Sequence, residues 1–272
     1  MTGRASPALA LRILPPGLYA GQARKVIERS ALVTRKQWMI VLTGLLEPVF
    51  YLLAFQVGFG ALVGAVMGPA GEPIPYEQFV APALLGAAAM NGAVFETTYP
   101  IYFKLRFNKL YDAMLATPLG PFDVAIGEIG WATLRGSVYS LGFVVIMAAM
   151  GLVESPWAVL MLPVAALMAF AFSAVGMALA TFIRSPAQFD YISLAVVPLF
   201  LFSATFYPLS VYPAELQWVV HLSPLYHGVE LLRQCAHGVF DVSMLGHLAV
   251  LVGLAAVGVI ATSRRIGSLL LR

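Results

Sequence analysis

Four ionisable residues lie inside strongly apolar stretches of the sequence. They are Glu47, Glu96, Glu128 and Arg135. Because placing charge in hydrocarbon is unfavourable, such residues mark either a proton or ion pathway or buried ion pairs that orient helices. Glu128 and Arg135 are seven residues apart, so on a helix they face the same way and meet either directly or through another helix.

A basic and aromatic stretch, residues 103–117, separates two of the apolar blocks. Its aromatic and apolar side chains recur at helical spacing, namely Phe103, Phe107, Leu110, Tyr111 and Met114. Lys104, Asn108 and Asp112 share another face, and Pro118 ends the pattern. The spacing predicts one short amphipathic helix. It is either docked on a soluble partner protein or a connector that touches only lipid headgroups.

The common catalytic and metal-binding motifs do not occur in the chain. It has no Walker A, H-E-x-x-H or G-x-S-x-G pattern. The single cysteine, Cys235, excludes an intrachain disulfide and a multi-cysteine metal cluster. Four histidines in the last quarter match no common zinc spacing, namely His221, His227, His237 and His247. We therefore expect no catalytic, cofactor-binding or metal-binding residue, and no nucleic-acid partner.

Composition predicts an all-α polytopic membrane protein. The 272 residues are 60% hydrophobic and 11% charged, with a mean hydropathy of +0.86, whereas soluble domains carry about 25% charged residues. A helix needs about 20 residues to cross the hydrocarbon core. Six spans are predicted, at residues 38–63, 79–99, 122–150, 157–183, 189–207 and 243–262.

The distribution of Lys and Arg predicts the orientation of these spans. Of the 16 cations, 14 lie before the first span, in alternate connectors or after the last span. The other connectors contain only Arg233, and Arg135 lies within a span. By the positive-inside rule, both termini and the stretch 103–117 face the cytoplasm.

Two further amphipathic segments lie outside the spans, one before the first span and one between the fifth and sixth. Residues 17–36 predict a basic helix that lies either on an anionic leaflet or in solvent, with one face formed by Ala23, Val26, Ile27, Ser30 and Thr34. On the outer side, Pro224 separates two short helical segments that favour a re-entrant hairpin over an ordinary loop. The resulting division is a cytoplasmic N-terminal segment (1–37), a membrane domain (38–263) and a short cytoplasmic tail (264–272).

Several stretches resemble the permeases of the type 2 ABC exporter family, and most of all the nodulation lipo-oligosaccharide export permeases. The matching stretches are residues 47–55, 79–85, 90–98, 109–119 and 222–227, which read EPVFYLLAF, FVAPALL, MNGAVFETT, KLYDAMLATPL and LSPLYH. The resemblance covers nearly the whole chain from about residue 20. These motifs are specific for the superfamily and poor guides to the substrate.

The resemblance implies a six-span permease that dimerises and binds a separate ATPase carrying ATP and Mg²⁺. The implied location is the bacterial inner membrane, and the implied direction of transport is export. It also implies an interfacial N-terminal helix, a cytoplasmic coupling helix and an outer re-entrant hairpin. The coupling role falls on Leu110, Tyr111, Asp112, Met114 and Thr117, and Phe107 joins them from the same predicted helix.

Three hypotheses on function follow. The first is the membrane subunit of an ATP-driven exporter of an amphiphile, such as a lipo-oligosaccharide, glycolipid or lipophilic drug, working as a homodimer. The second is a self-contained ion- or proton-coupled transporter that uses Glu47, Glu96, Glu128 and Arg135 as a relay. A non-transporting membrane scaffold fits the hydropathy equally well, but leaves the amphipathic cytoplasmic helix without a purpose.

Overall fold

The computed structural model describes residues 21–34, 50–153 and 155–270. Glu47 and the first part of the first predicted span, residues 38–49, lie outside these ranges. The helices are α1 (Ala23–Thr34), α2 (Phe50–Phe59), α3 (Gly60–Val63), α4 (Tyr76–Arg106), α5 (Leu110–Leu115), α6 (Pro121–Ala149), α7 (Met161–Ala180), α8 (Phe189–Leu201), α9 (Ala214–Leu222), α10 (Pro224–His237) and α11 (Ser243–Leu270). Strands β1 (Ala65–Met67) and β2 (Pro73–Pro75) pair antiparallel between α3 and α4, with Val66 opposite Ile74.

Four helices in the described part are long and apolar enough to cross a membrane. They are Tyr76–Arg106, Pro121–Ala149, Pro156–Ala180 and Ser243–Leu269, where the third includes a short 3₁₀ turn before α7. They coincide with the second, third, fourth and sixth predicted spans. α11 extends to Leu270, so residues 264–270 of the predicted cytoplasmic tail continue the last helix.

The fifth predicted span, 189–207, is shorter in the structure than the sequence suggested. α8 has 13 residues and ends at Leu201, which gives about 20 Å at 1.5 Å per residue, less than the hydrocarbon thickness. Pro198 interrupts the hydrogen-bond ladder of the last turn. Beyond it, Ala204 adopts a left-handed conformation at φ 51°, which a helix does not permit.

α7 lies at the centre of the bundle and packs against α4, α6 and α11. Small residues allow these close approaches, as is usual between membrane helices. Gly176 of α7 lies against Thr97 and Val94 of α4. Where α7 meets α11, Thr262 donates a hydrogen bond to the carbonyl oxygen of Ala174 at 3.1 Å, and the nearby Gly258 leaves no room for a side chain.

The segment predicted to lie on the outer side forms two helices that separate at Pro224, as predicted. α10 packs against α4, α7 and α11. Its Leu225 and Leu231 are buried, whereas Trp218 and Leu222 of α9 remain 61% and 70% exposed. Within the chain, neighbouring helices therefore cover these apolar residues of α10 but not those of α9.

A buried arginine, Arg233, joins α10 to its neighbours. Its Nε atom donates to the carbonyl oxygen of Phe79 at 3.1 Å, and its guanidinium lies 3.7 Å from the centre of the Phe79 ring. The Nη1 atom pairs with Glu230 at 2.8 Å, and Nη2 donates to the carbonyl oxygens of Ala204 and Thr205. A buried guanidinium needs such partners, so Arg233 holds the chain reversal after α8 against α4 and α10.

Two histidines link α10 to α11. The Nδ1 atoms of His227 and His247 are 2.7 Å apart, and Nε2 of His227 lies 2.9 Å from the carbonyl oxygen of His221. Because a carbonyl oxygen only accepts, Nε2 of His227 carries hydrogen, and Nδ1 of its neutral ring accepts from His247. Burial lowers the pKa of His227. The hydrogen bond to the His221 carbonyl oxygen opposes this effect, and the charge of the His221 ring adds a smaller lowering.

We expect the substitution Gly258→Ala to lower the melting temperature of the purified protein by several degrees. The added methyl group would lie 2.8 Å from backbone atoms of Ala174 and Val175. Overpacking of this kind destabilises by about 1–3 kcal/mol. Gly253→Ala is the control on the same helix, because its methyl group meets nothing within 4 Å. Equal melting temperatures for the two variants would contradict the close α7–α11 contact.

We also expect acidification to destabilise the protein through His227. Because folding lowers the pKa of His227, its contribution to stability is full above the unfolded pKa of about 6.5 and decreases as the pH falls below that value. The measurement is the melting temperature between pH 7.5 and 5, which should depend less on pH in His227→Gln. His237→Gln is the control, because His237 lies in the same helix and its Nδ1 lies 2.9 Å from the carbonyl oxygen of Arg233, a backbone group of its own helix. An unchanged pH dependence in His227→Gln would refute this account.

Candidate functional site

The stretch 103–117 forms two helical pieces, so the prediction of one continuous helix is wrong. α4 continues to Arg106, and the N–H groups of Phe107 and Asn108 both bond to the carbonyl oxygen of Phe103. Lys109 then adopts a left-handed conformation at φ 45°, and α5 follows. The predicted stripe is broken at this turn, because helical spacing does not continue through a left-handed residue.

The six residues predicted to couple to a partner divide between two faces. Phe107, Asp112 and Thr117 are exposed, and Leu110 is half-buried. Tyr111 and Met114 are only 1% and 7% exposed and pack in the inner core cluster with residues of α1, α4 and α6. The buried pair therefore anchors α5, while the exposed residues stay accessible to another molecule.

A charged network lies beneath α5. Lys104 of α4 pairs with Glu128 of α6 at 2.6 Å, and the Glu128 side chain is 2% exposed. The hydroxyl group of Tyr111 faces the same carboxylate. Burial raises the pKa of Tyr111 well above its usual value, and the charge of Glu128 adds to this effect, whereas Arg29 of α1 opposes it. Tyr111 is therefore neutral at physiological pH.

A second ion pair joins the same two helices deeper in the bundle. Arg135 of α6 contacts both carboxylate oxygens of Glu96 of α4, at 2.9 and 2.8 Å, and its Nε lies 3.2 Å from the Tyr139 hydroxyl. Glu128 and Arg135 therefore do not pair directly, and each meets α4 instead. The two pairs have opposite polarity and lie about 12 Å apart along α4, so a shift of register would bring like charges together.

α1 packs on the first turns of α6. Its predicted apolar face is confirmed at Val26 and Ser30, which are buried. A side chain at Gly127 would lie 2.4 Å from Cβ of Val26, so this glycine allows the contact. Asp123 accepts hydrogen bonds from the backbone N–H groups of Gly120 (2.9 Å) and Gln22 (2.7 Å), and so joins the α6 N-terminus to α1.

Sequence reasoning missed Asp123, although its position three residues after Gly120 is typical of a capping residue. It also missed an aromatic cluster between α4 and α8. Tyr99 stacks on Phe189 with ring centres 3.8 Å apart, and Tyr102 meets Phe189 edge-on at 5.3 Å. Only the fold brings these rings together, because about 90 residues separate them in the sequence.

Among the described residues, no group of three or more His, Cys, Asp or Glu side chains is placed to hold a metal ion. Glu47 lies outside the described ranges, so its predicted role stays a prediction. The remaining arrangement is a short, rigidly anchored helix with an accessible face, next to two ion pairs between α4 and α6.

Comparison with known proteins agrees with the resemblance inferred from the motifs. Residues 21–236 match the ABC-2 type transporter family. Nodulation protein J of Neorhizobium galegae is 30% identical over 93% of this chain and 95% of its own length. Nodulation protein J of Sinorhizobium fredii is 32% identical over 71% of this chain and 72% of its own.

A third relative has a name that states its role. The inner membrane transport permease YadH of Escherichia coli is 26% identical over 76% of this chain and 81% of its own length. The family match covers most of the chain, and the relatives match it over 72–95% of their own lengths. Together with the apolar helices and the anchored α5, these findings show that the chain belongs to the ABC-2 type transporter family and is a membrane permease.

Proposed function

We propose that this chain is the permease subunit of an ATP-driven exporter that moves an amphiphile out of the cell. The observation that carries the proposal is the division of α5 into a buried side, Tyr111 and Met114, and an exposed side with Asp112. Phe107 and Thr117 flank the exposed side. An ABC ATPase subunit, which the family implies, docks there and carries the ATP and Mg²⁺.

The packing beneath α5 supports transmission of movement from the ATPase to the bundle. Met114 and Tyr111 share a core cluster with Ile101 and Leu105 of α4 and with Ile129 of α6. Since closely packed interiors transmit displacement, a push on α5 moves the inner ends of α4 and α6 together. The coupling contribution of Tyr111 and Met114 is thus indirect, because both are almost fully buried.

The substrate class rests on the resemblance to nodulation permeases, and it includes lipo-oligosaccharides, glycolipids and lipophilic drugs. In this proposal two copies of the chain form the path, with the first, second and fifth spans around it. Apolar residues of α8 are compatible with this arrangement, since Tyr191 and Leu194 are 71% and 70% exposed. Both termini and α5 face the cytoplasm, as the distribution of cations predicts.

The alternative, a self-contained ion or proton relay, receives less support from the geometry. Glu96 and Glu128 each pair with a cation of the neighbouring helix, at 2.8 and 2.6 Å. Paired carboxylates of this kind hold two helices in register. A relay requires groups that exchange protons along a path, and Glu96 and Glu128 are both already engaged with cations.

We expect Asp112→Lys to reduce ATPase binding at least tenfold without affecting folding. Reversing the charge of an exposed side chain on α5 disturbs the docking face and leaves the buried anchor intact. The tagged chain is purified from its source membrane, and ATP hydrolysis and the stoichiometry of a P-loop subunit are measured. Glu215→Lys on α9 is the control, because it is also exposed but lies on the predicted outer side. Full ATPase retention by Asp112→Lys, or an active transporter without an ATP-hydrolysing partner, would reject the proposal.

A charge exchange separates a structural ion pair from a relay. Arg135→Glu places two carboxylates side by side and should destabilise the protein by about 3 kcal/mol or more. Glu96→Arg combined with Arg135→Glu restores the attraction and should recover most of the melting temperature. The permease reconstituted alone, with a pH-sensitive dye inside the liposomes, should show no proton flux above that of empty liposomes. Proton flux that disappears in Glu96→Gln would favour the relay.

A further inference from the structure

A groove of about 200 Å³ lies between α1 on one side and α5 on the other. The turn that follows α5 completes the second side. Its walls are mainly apolar, and its ionisable residues are both cations. The lining residues are Lys25, Val26, Arg29, Ala113, Met114, Thr117 and Leu119. A groove of this composition fits a ligand that has one anionic group and an apolar body.

The charges of the groove are available to such a ligand. Among the described residues, neither Lys25 nor Arg29 belongs to an ion pair, whereas the neighbouring Arg24 is paired with Glu28 at 2.6 Å. Glu128, the buried carboxylate nearest to Tyr111, is already paired with Lys104. Neither groove cation therefore has an ion-pair partner within 4 Å among the described residues.

The same face of α1 continues into apolar surface. Lys25, Arg29, Leu32 and Val33 follow the i, i+4, i+7 and i+8 spacing and so lie on one side of the helix. Leu32 and Val33 are 70% and 59% exposed. The face therefore passes from two cations to exposed apolar side chains within about 10 Å.

The height of α1 on the bundle matches the edge of a membrane. α1 contacts α6 at Gly127, six residues after the α6 N-terminus at Pro121, which corresponds to about 9 Å along the helix axis. Since the third predicted span begins at residue 122, this contact lies within two turns of the predicted membrane boundary. A lipid phosphate bound there would be near Lys25 and Arg29, and its acyl chains would cover Leu32 and Val33.

We infer that this groove binds the headgroup phosphate of an anionic phospholipid and so joins α1 to α5. The inference depends on the proposed function in one respect. The predicted orientation assigns the bound lipid to the cytoplasmic leaflet. An occupied groove holds α1 against α5, so the lipid also stiffens the element on which the ATPase is proposed to dock. Lipid composition then modulates coupling at this position.

The test uses the purified full-length permease in a neutral detergent, without any ATPase, so that its outcome is independent of ATPase binding. Dioleoyl phosphatidylglycerol and dioleoyl phosphatidylcholine are titrated, and bound lipid is counted by native mass spectrometry while the melting temperature is recorded. We expect phosphatidylglycerol to bind at least tenfold more tightly than phosphatidylcholine. The melting temperature should rise only with the anionic lipid.

Two double variants separate the groove from general charge attraction. Lys25→Gln with Arg29→Gln should weaken phosphatidylglycerol binding at least tenfold. Arg24→Gln with Arg264→Gln removes the same charge at two exposed sites and should bind like the unaltered chain. Lys25→Arg with Arg29→Lys keeps both charges and should retain binding, which distinguishes a lost ligand from a misfolded α1.

Four results would overturn the inference. They are equal losses in the two glutamine variants, equal affinity for the two lipids, no lipid bound at all, and binding of glycerol phosphate as tight as that of phosphatidylglycerol. The last would indicate a soluble phosphate ligand instead of a bilayer lipid.

Discussion

The unfavourable energy of a charge inside an apolar bundle is the constraint around which this structure is arranged. Isolated charges in such surroundings are unfavourable by several kcal/mol, so each needs a partner at hydrogen-bond distance. α4 supplies partners at three levels: Lys104 for Glu128, Glu96 for Arg135 and the Phe79 carbonyl oxygen for Arg233. These contacts fix α4 relative to α6 and α10, and they determine which faces remain for the other helices.

Close packing of small residues completes the arrangement. The face of α7 that meets α4 and α11 carries alanine and glycine, which let backbones approach where side chains would keep them apart. Ion pairs therefore hold α4 against α6, whereas close packing of small residues holds α7 against α4 and α11. Both kinds of contact resist sliding of one helix along another. A helix that is to transmit movement along its length requires such resistance.

The end of the bundle that carries α1 and α5 combines these features. α5 is too short to be stable alone, and it depends on Tyr111 and Met114 packing into the core. α1 reaches the same core through Val26, and Asp123 ties the start of α1 to the start of α6. In the proposed transport cycle, α1, α5 and α6 respond as one body, because they share one buried cluster and one charged network.

The sequence alone determined the class of the protein and most of its long helices. Hydropathy is a property of composition over some 20 residues, and four of the predicted spans coincide with long apolar helices. The motifs around residues 109–119 and 222–227 also identified the family, because they are read directly from residue types. The presence of a helix in the 110–115 region, a helix over 23–34 and a break at Pro224 followed from periodicity and proline chemistry.

The tertiary structure decided which residues meet. Periodicity placed Glu128 and Arg135 on one face, but only the antiparallel approach of α4 paired them with Lys104 and Glu96. Periodicity also predicted one helical stripe running past Phe107 to Met114, but the left-handed Lys109 breaks it. A single backbone torsion angle leaves no trace in hydrophobic spacing, so the sequence pattern did not reveal this break. The burial of Tyr111 and its approach to Glu128 likewise depend on contacts between distant segments, which no local pattern encodes.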